Sequence, residues 1–157
     1  MNRCKSFVLC LGFTAACAAA SGAVAAPPDY FPVAHAPPGM TLPFSEAVRA
    51  GGMLYLSGEV GLGPGGKLVP GGIKAEAKQV MDNIAANLAR HGSSMDRVVQ
   101  CTVALADIGE WGAFNEVWRG YFKAHFPARM AYAASGLALG ARVEVQCNAA
   151  AADEPAR

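Results

Sequence analysis

Arg129 and Glu144 are the charged residues whose setting in this sequence is hardest to explain as solvated surface. Arg129 follows Phe126-Pro127-Ala128 at the start of a strand-like run, and Glu144 lies between Val143 and Val145 in a run otherwise suited to burial. The arginine fork grips a carboxylate through two parallel hydrogen bonds, a geometry lysine does not offer. A glutamate beside a water positions it or takes its proton. The pair suits hydrolysis of a small anionic substrate; on spacing alone, an exposed sheet edge or an ordinary interface pair fits as well. No Ser-His-Asp or Cys-His set offers a covalent route; no Gly-x-Gly-x-x-Gly turn lies between a strand and a helix, the glycines of residues 61–72 being loop glycines, and no phosphate-loop lysine motif is found. His35, His91 and His125 are scattered and Cys101 and Cys147 lack ligand spacing, so no metal is expected.

The elements that must position these residues are legible from Phe44 onward. Phe44–Ala50 and Met53–Ser57 flank Gly51-Gly52, a two-residue hairpin signal. Residues 61–72, rich in Gly and Pro, read as a loop. Ile73, Ala77, Val80, Ile84 and Leu88 form one apolar face of a helix that Gly92 stops. Residues 97–106 read as a buried strand. Asp107-Ile108-Gly109-Glu110 has capping-box spacing, and Trp111, Phe114, Trp118, Tyr121 and Phe122 follow as an aromatic stripe expected in the core. Pro127 ends that helix, and residues 129–135 and 142–149 read as strands. Alternation puts Arg142, Glu144, Gln146 and Asn148 on one side of the last strand and Val143, Val145 and Cys147 on the other. The order β-β-α-β-α-β-β predicts an α+β two-layer sandwich, a mixed sheet with both helices on one face. The opposite sheet face then needs a partner, which implies a homo-oligomer.

Composition bounds the rest. The 157 residues are 53% hydrophobic and 16% charged, with a formal net charge of +1. A single domain is expected, disorder is excluded, and the basic excess of a nucleic-acid binder is missing. Part of the apolar surplus lies in residues 1–25: Arg3 and Lys5, an apolar run from Phe7 to Ala20, then Ala23-Val24-Ala25. That is the pattern of a cleaved signal peptide, and the run is short for a membrane span. The expectation is an exported, periplasmic protein; lipid attachment at Cys17 is the lesser alternative. Residues 26–43 read as an extended arm, 44–150 as the domain and 151–157 as a tail. After cleavage only Cys101 and Cys147 remain. An oxidising compartment allows them to pair, but two buried free thiols suit their apolar strands and are the expectation.

Phe126-Pro127-Ala128-Arg129, followed by Val143-Glu144-Val145, resembles the RidA (YjgF) reactive intermediate deaminases. Leu56-Ser57-Gly58-Glu59, Gln79-Val80-Met81-Asp82-Asn83-Ile84 and Phe114-Asn115-Glu116-Val117-Trp118 add to the resemblance, which runs from about Leu42 to Ala150. It implies a chorismate-mutase-like fold, a homotrimer with sites in clefts between subunits, and no cofactor. It also implies hydrolysis of 2-imino acids or their enamine tautomers to 2-keto acids and ammonium. Arg129 would clamp the substrate carboxylate with help from the Ala131 backbone amide, and Glu144 would orient the attacking water. Phe44, Ser57, Gly58 and Asn115 would line the cleft. Phe44 stands where a tyrosine is usual, Glu59 where glutamine is, and Ala131 where cysteine is. Glu59 would thereby add a negative charge near an anion site. The other function to weigh is a non-catalytic module that binds small carboxylates in the same clefts; ribonuclease activity is disfavoured by the charge balance. The implied partners are a small carboxylate or imine and further copies of the chain, with no nucleic acid and no membrane span.

Overall fold

The structure, a computed structural model, describes residues 26–34, 39 and 41–152. The leader with Cys17, His35 and the end of the tail lie outside the described residues. Seven strands and two helices follow in the order β1 (Asp29–Pro32), β2 (Ser45–Ala50), β3 (Met53–Leu56), β4 (Glu59–Val60), α1 (Gly72–Arg90), β5 (Val98–Leu105), α2 (Trp111–Trp118), β6 (Ala128–Ala133) and β7 (Val143–Ala150). They build one mixed sheet in the order β1-β2-β3-β7-β5-β6, with β4 paired to β7 beyond β3. Only β5 and β6 run parallel, as the crossover through α2 requires. The expected β-β-α-β-α-β-β order is present with two short strands added. One of them, β1, comes from the residues read as an arm: Asp29–Pro32 pairs antiparallel with β2.

Local chemistry accounts for the elements that carry the site. Gly51 and Gly52 both take positive φ, 55° and 75°, as a tight turn between β2 and β3 demands. Helix α1 closes as a Schellman motif: Gly92, φ 75°, donates to the Ala89 carbonyl and Ser93 to that of Leu88. Its apolar face, with Ala77, Val80, Met81, Ile84 and Leu88 all buried, packs on Leu54, Val103, Val143 and Val145. Each of the larger side chains, Val80, Met81, Ile84 and Leu88, contributes roughly 1.5–3 kcal/mol on burial. Helix α2 adds Phe114 and Trp118 to the same core, while Trp111, the first residue of the stripe, is exposed. The end of α2 is tied to α1 where Tyr121 Oη donates to Asp82 Oδ1 at 2.7 Å.

Two expectations are corrected. Cys101 and Cys147 are joined in a disulfide. They are direct cross-strand partners in the β5–β7 register, on the face turned to the helices and with Cα atoms 4.1 Å apart, so their side chains must meet. The capping box is half formed: Asp107 accepts from Gly109 N at 2.8 Å, but Glu110 turns away to chelate the Arg142 guanidinium. Glu59 pairs with Val145, which aims its side chain at the helix layer, where it accepts from Asn87.

Candidate functional site

Strand β7 sits at the centre of the sheet and alternates buried and half-buried residues along its whole length. Val143, Val145 and Cys147 face the helices, and Glu144, Gln146 and Asn148 face the other way. Entry into β7 is held from two sides: Arg142 N donates to the buried Glu76 at 2.8 Å, and its side chain is held by Glu110. Beyond Glu144 the outward row is cross-linked. Gln146 Nε2 donates to Leu56 O and to Asn148 Oδ1, and Asn148 Nδ2 donates to Gln100 Oε1 at 2.9 Å. Tyr55, Met130 and Tyr132 are exposed and share this face through their pairing with Asn148, Thr102 and Ala104.

Ser57 and Gly58 fill the gap between β3 and β4. Ser57 N donates to Glu46 O at 3.0 Å and Ser57 Oγ to Ser45 O at 2.7 Å, so the hydroxyl is engaged in holding the bend. Gly58 lies against the Glu144 carboxylate so closely that a β-carbon there would collide with it. Phe44, just before β2, is exposed. Glu144, Gly58 and Ser57 form one group.

Arg129 and Ala131 form another. In the parallel β5–β6 register Arg129 stands beside Cys101, and Ala131 beside Val103, both residues of the core. Arg129 therefore points to the helix side, where its guanidinium carbon lies 4.9 Å from the Trp118 ring centroid and 5.8 Å from that of Phe114. Nη1 is buried without a hydrogen-bond partner among the described residues. Burial, with the positive charge of Arg119 nearby, lowers the pKa of the guanidinium. Asn115, half-buried, is the neighbour of Phe114 on α2.

The two groups are on opposite faces of the sheet. Arg129 lies beside Cys101 and Cys147, whereas Glu144 lies beside Ala104 and Tyr132. Two strand spacings and three residues of rise put their Cα atoms about 14 Å apart. Within one chain the Arg129 group and the Glu144 group are therefore separate.

Sequence reasoning missed a buried polar cluster beside β4. The register slips between Phe31 and Pro32, and this bulge leaves Glu46 unpaired and turned inward. There it accepts from Arg90 at 2.6 and 2.7 Å and lies 2.8 Å from His91 Nε2. Burial pushes the Glu46 carboxyl up, but the hydrogen bonds from Arg90 and His91 outweigh it and hold the pKa below the usual range. Glu59 is pushed up to about 7 by burial and by the charge of Glu46. A shallow concavity of about 410 Å³ between the starts of β5 and β6, lined by Arg97, His125, Phe126 and Ala128, contains none of the seven candidate residues. Among the described residues no group of three or more His, Cys, Asp or Glu side chains is placed to hold a metal ion, and no helix is long and apolar enough to cross a membrane.

Comparison with known proteins agrees with this architecture. Residues 34–151 match the family described as Endoribonuclease L-PSP. A mouse (Mus musculus) protein named 2-iminobutanoate/2-iminopropanoate deaminase is 44% identical over 105 residues, 66% of this chain and 78% of the mouse protein. Protein HMF1 of Saccharomyces cerevisiae is 39% identical over 116 residues, 74% of this chain and 90% of that protein. A crystal structure of a Rid-family protein of unknown function from Yersinia pestis superposes with a TM-score of 0.72 at 32% identity, covering 79% of this chain and 99% of that one. By the family match, the level of identity and the shared fold, this chain belongs to the YjgF/RidA family.

Proposed function

We propose that the protein hydrolyses reactive 2-imino acids and their enamine tautomers to 2-keto acids and ammonium, at clefts where the Arg129 half-site of one subunit meets the Glu144 half-site of the next. The substrate carboxylate binds the Arg129 fork and the Ala131 backbone amide. Glu144 accepts a proton from the water whose oxygen adds to the carbon of the protonated imine and passes it to the nitrogen; the hydroxyl of the resulting carbinolamine then gives its proton to Glu144 as the carbon–nitrogen bond breaks, and the released ammonia takes that proton, so that keto acid and ammonium leave. Asn115 lines the arginine side of the cleft, and Ser57, Gly58 and Phe44 line the glutamate side. The working unit is a homotrimer whose outward sheet faces pack together, covering Tyr55, Met130 and Tyr132. The reading also makes residues 1–25 an export signal and the protein periplasmic.

The observation that carries this reading is the Arg129 nitrogen buried without a partner. A half-buried cation with no counter-ion among the described residues is an open site for an anion, and an incoming carboxylate supplies the missing charge. The relatives named as 2-imino acid deaminases support the reaction. Glu59 is engaged by Asn87 on the face of the sheet opposite Glu144.

The test is turnover of 2-iminopropanoate, generated in situ and followed by its loss, with protein lacking residues 1–25. A rate well above that of buffer is expected. A rate equal to buffer, with keto acids still raising the melting temperature, would replace the enzyme by a carboxylate-binding module.

A further inference from the structure

Arg129 is the centre of an arrangement that the reaction alone does not demand. Its guanidinium has no ion-pair partner among the described residues; instead it lies over two aromatic faces, Trp118 at 4.9 Å and Phe114 at 5.8 Å. Both rings are buried, 4% and 0% exposed, and pack on each other with centroids 5.7 Å apart. The column continues through Phe122, 4.7 Å from Trp118, to Phe126, 6.2 Å further on. Phe126 is followed by Pro127-Ala128-Arg129, so the stack is linked to the strand that carries the arginine.

A carboxylate partner within the protein would occupy the in-plane N–H groups of the fork, the groups a substrate carboxylate needs. An aromatic ring attracts the cation through its face and leaves those in-plane donors free. We propose that Phe114 and Trp118 form a shelf that fixes the plane of the Arg129 guanidinium without consuming its donors, which makes Trp118 a positioning residue for recognition of the substrate carboxylate. The inference rests on Arg129 being the group that binds that carboxylate. It adds that the preference of the site for an anion over its neutral analogue is set in part by an apolar side chain that never touches the substrate.

The test compares binding of 2-oxobutanoate and its uncharged amide, 2-oxobutanamide, by calorimetry in the wild type, Trp118→Leu, Trp118→Phe and Arg129→Met. The acid-to-amide affinity ratio is read within each variant, so a change in the folded fraction cancels. Trp118→Leu is expected to lower that ratio about tenfold, and Trp118→Phe, which keeps a ring, to hold it within about threefold. In turnover, Trp118→Leu raises KM and leaves kcat within about twofold, because the shelf does not reach the water or the imine carbon. An unchanged ratio in Trp118→Leu overturns the shelf while leaving Arg129 in its role. A wild type that binds acid and amide equally, or an Arg129→Met variant with the wild-type ratio, overturns the carboxylate reading and the shelf with it.

Discussion

The Glu144 carboxylate rests against the backbone of Gly58, with no room for a β-carbon between them. Val60 is the cross-strand partner of Glu144, so the break at Ser57-Gly58 lets β4 pair with β7 while leaving a notch for the carboxylate. Gly58→Ala is expected to keep the fold, because the new methyl meets the end of a flexible side chain. It displaces the carboxylate and lowers kcat by at least about tenfold, as loss of a positioned general base does. Activity near wild type in a folded Gly58→Ala protein would show that the position of Glu144 is not critical.

Arg129→Met separates function from stability. If Arg129 clamps the substrate carboxylate, kcat/KM falls at least about 30-fold, which corresponds to about 2 kcal/mol of lost charged contact. Stability should move the other way or not at all. The methionine keeps an apolar stem against Trp118 and Phe114 and removes a cation whose Nη1 lacks a partner. Thermal denaturation and turnover on one preparation decide it; activity and melting temperature that fall together would make Arg129 a structural residue.

How much of the fold and site was legible in the sequence depends on which quantity each feature needs. The apolar spacing of Ile73 to Leu88 and the Gly51-Gly52 turn identified α1 and the hairpin, because period and turn chemistry are local. The outward row of Glu144, Gln146 and Asn148 followed from alternation for the same reason. Strand register is not local. Cys101 and Cys147 were both visible in buried strands, yet their pairing depends on β5 and β7 being neighbours with those residues opposite. Glu46 defeated alternation, since a bulge of one residue turns it inward. On β6 hydropathy points the wrong way: Met130 and Tyr132 are exposed while Arg129 faces the helices. That is why Arg129 and Glu144 read as one small site, whereas they lie on opposite faces.

The disulfide ties β5 to β7 across a sequence separation of 46. Closing a loop of that length removes entropy from the unfolded chain equivalent to about 4 kcal/mol. Both cysteines are fully buried, so reductant should leave the native protein oxidised and act only as it unfolds. For protein lacking residues 1–25, and with them Cys4, Cys10 and Cys17, the expected result is no free thiol in the native state and two per chain after reduction in denaturant, with a chemical-denaturation midpoint clearly lower under reducing conditions. Two titratable thiols in non-reduced, denatured protein would contradict the bond.

Glu59 predicts how stability depends on pH. Its carboxyl is raised from the ordinary value to about 7 by burial and by the nearby Glu46 charge, so between about pH 4.5 and 7 the folded state holds a proton that the unfolded state has released. Stability from this group is full below the unfolded pKa and falls as pH rises towards 7, by about 1 to 3 kcal/mol in all. Glu46 works in the opposite sense and in a lower window: its carboxyl is held down by Arg90 and His91, so its contribution is lost only as pH falls below the usual carboxylate range. The two together put maximum stability on the acid side of neutrality. Glu59→Gln keeps an acceptor for Asn87 and removes the charge, so it should raise the melting temperature at pH 8, change it little at pH 5, and flatten the profile between. An equal shift at both pH values would mean that Glu59 does not titrate in this range.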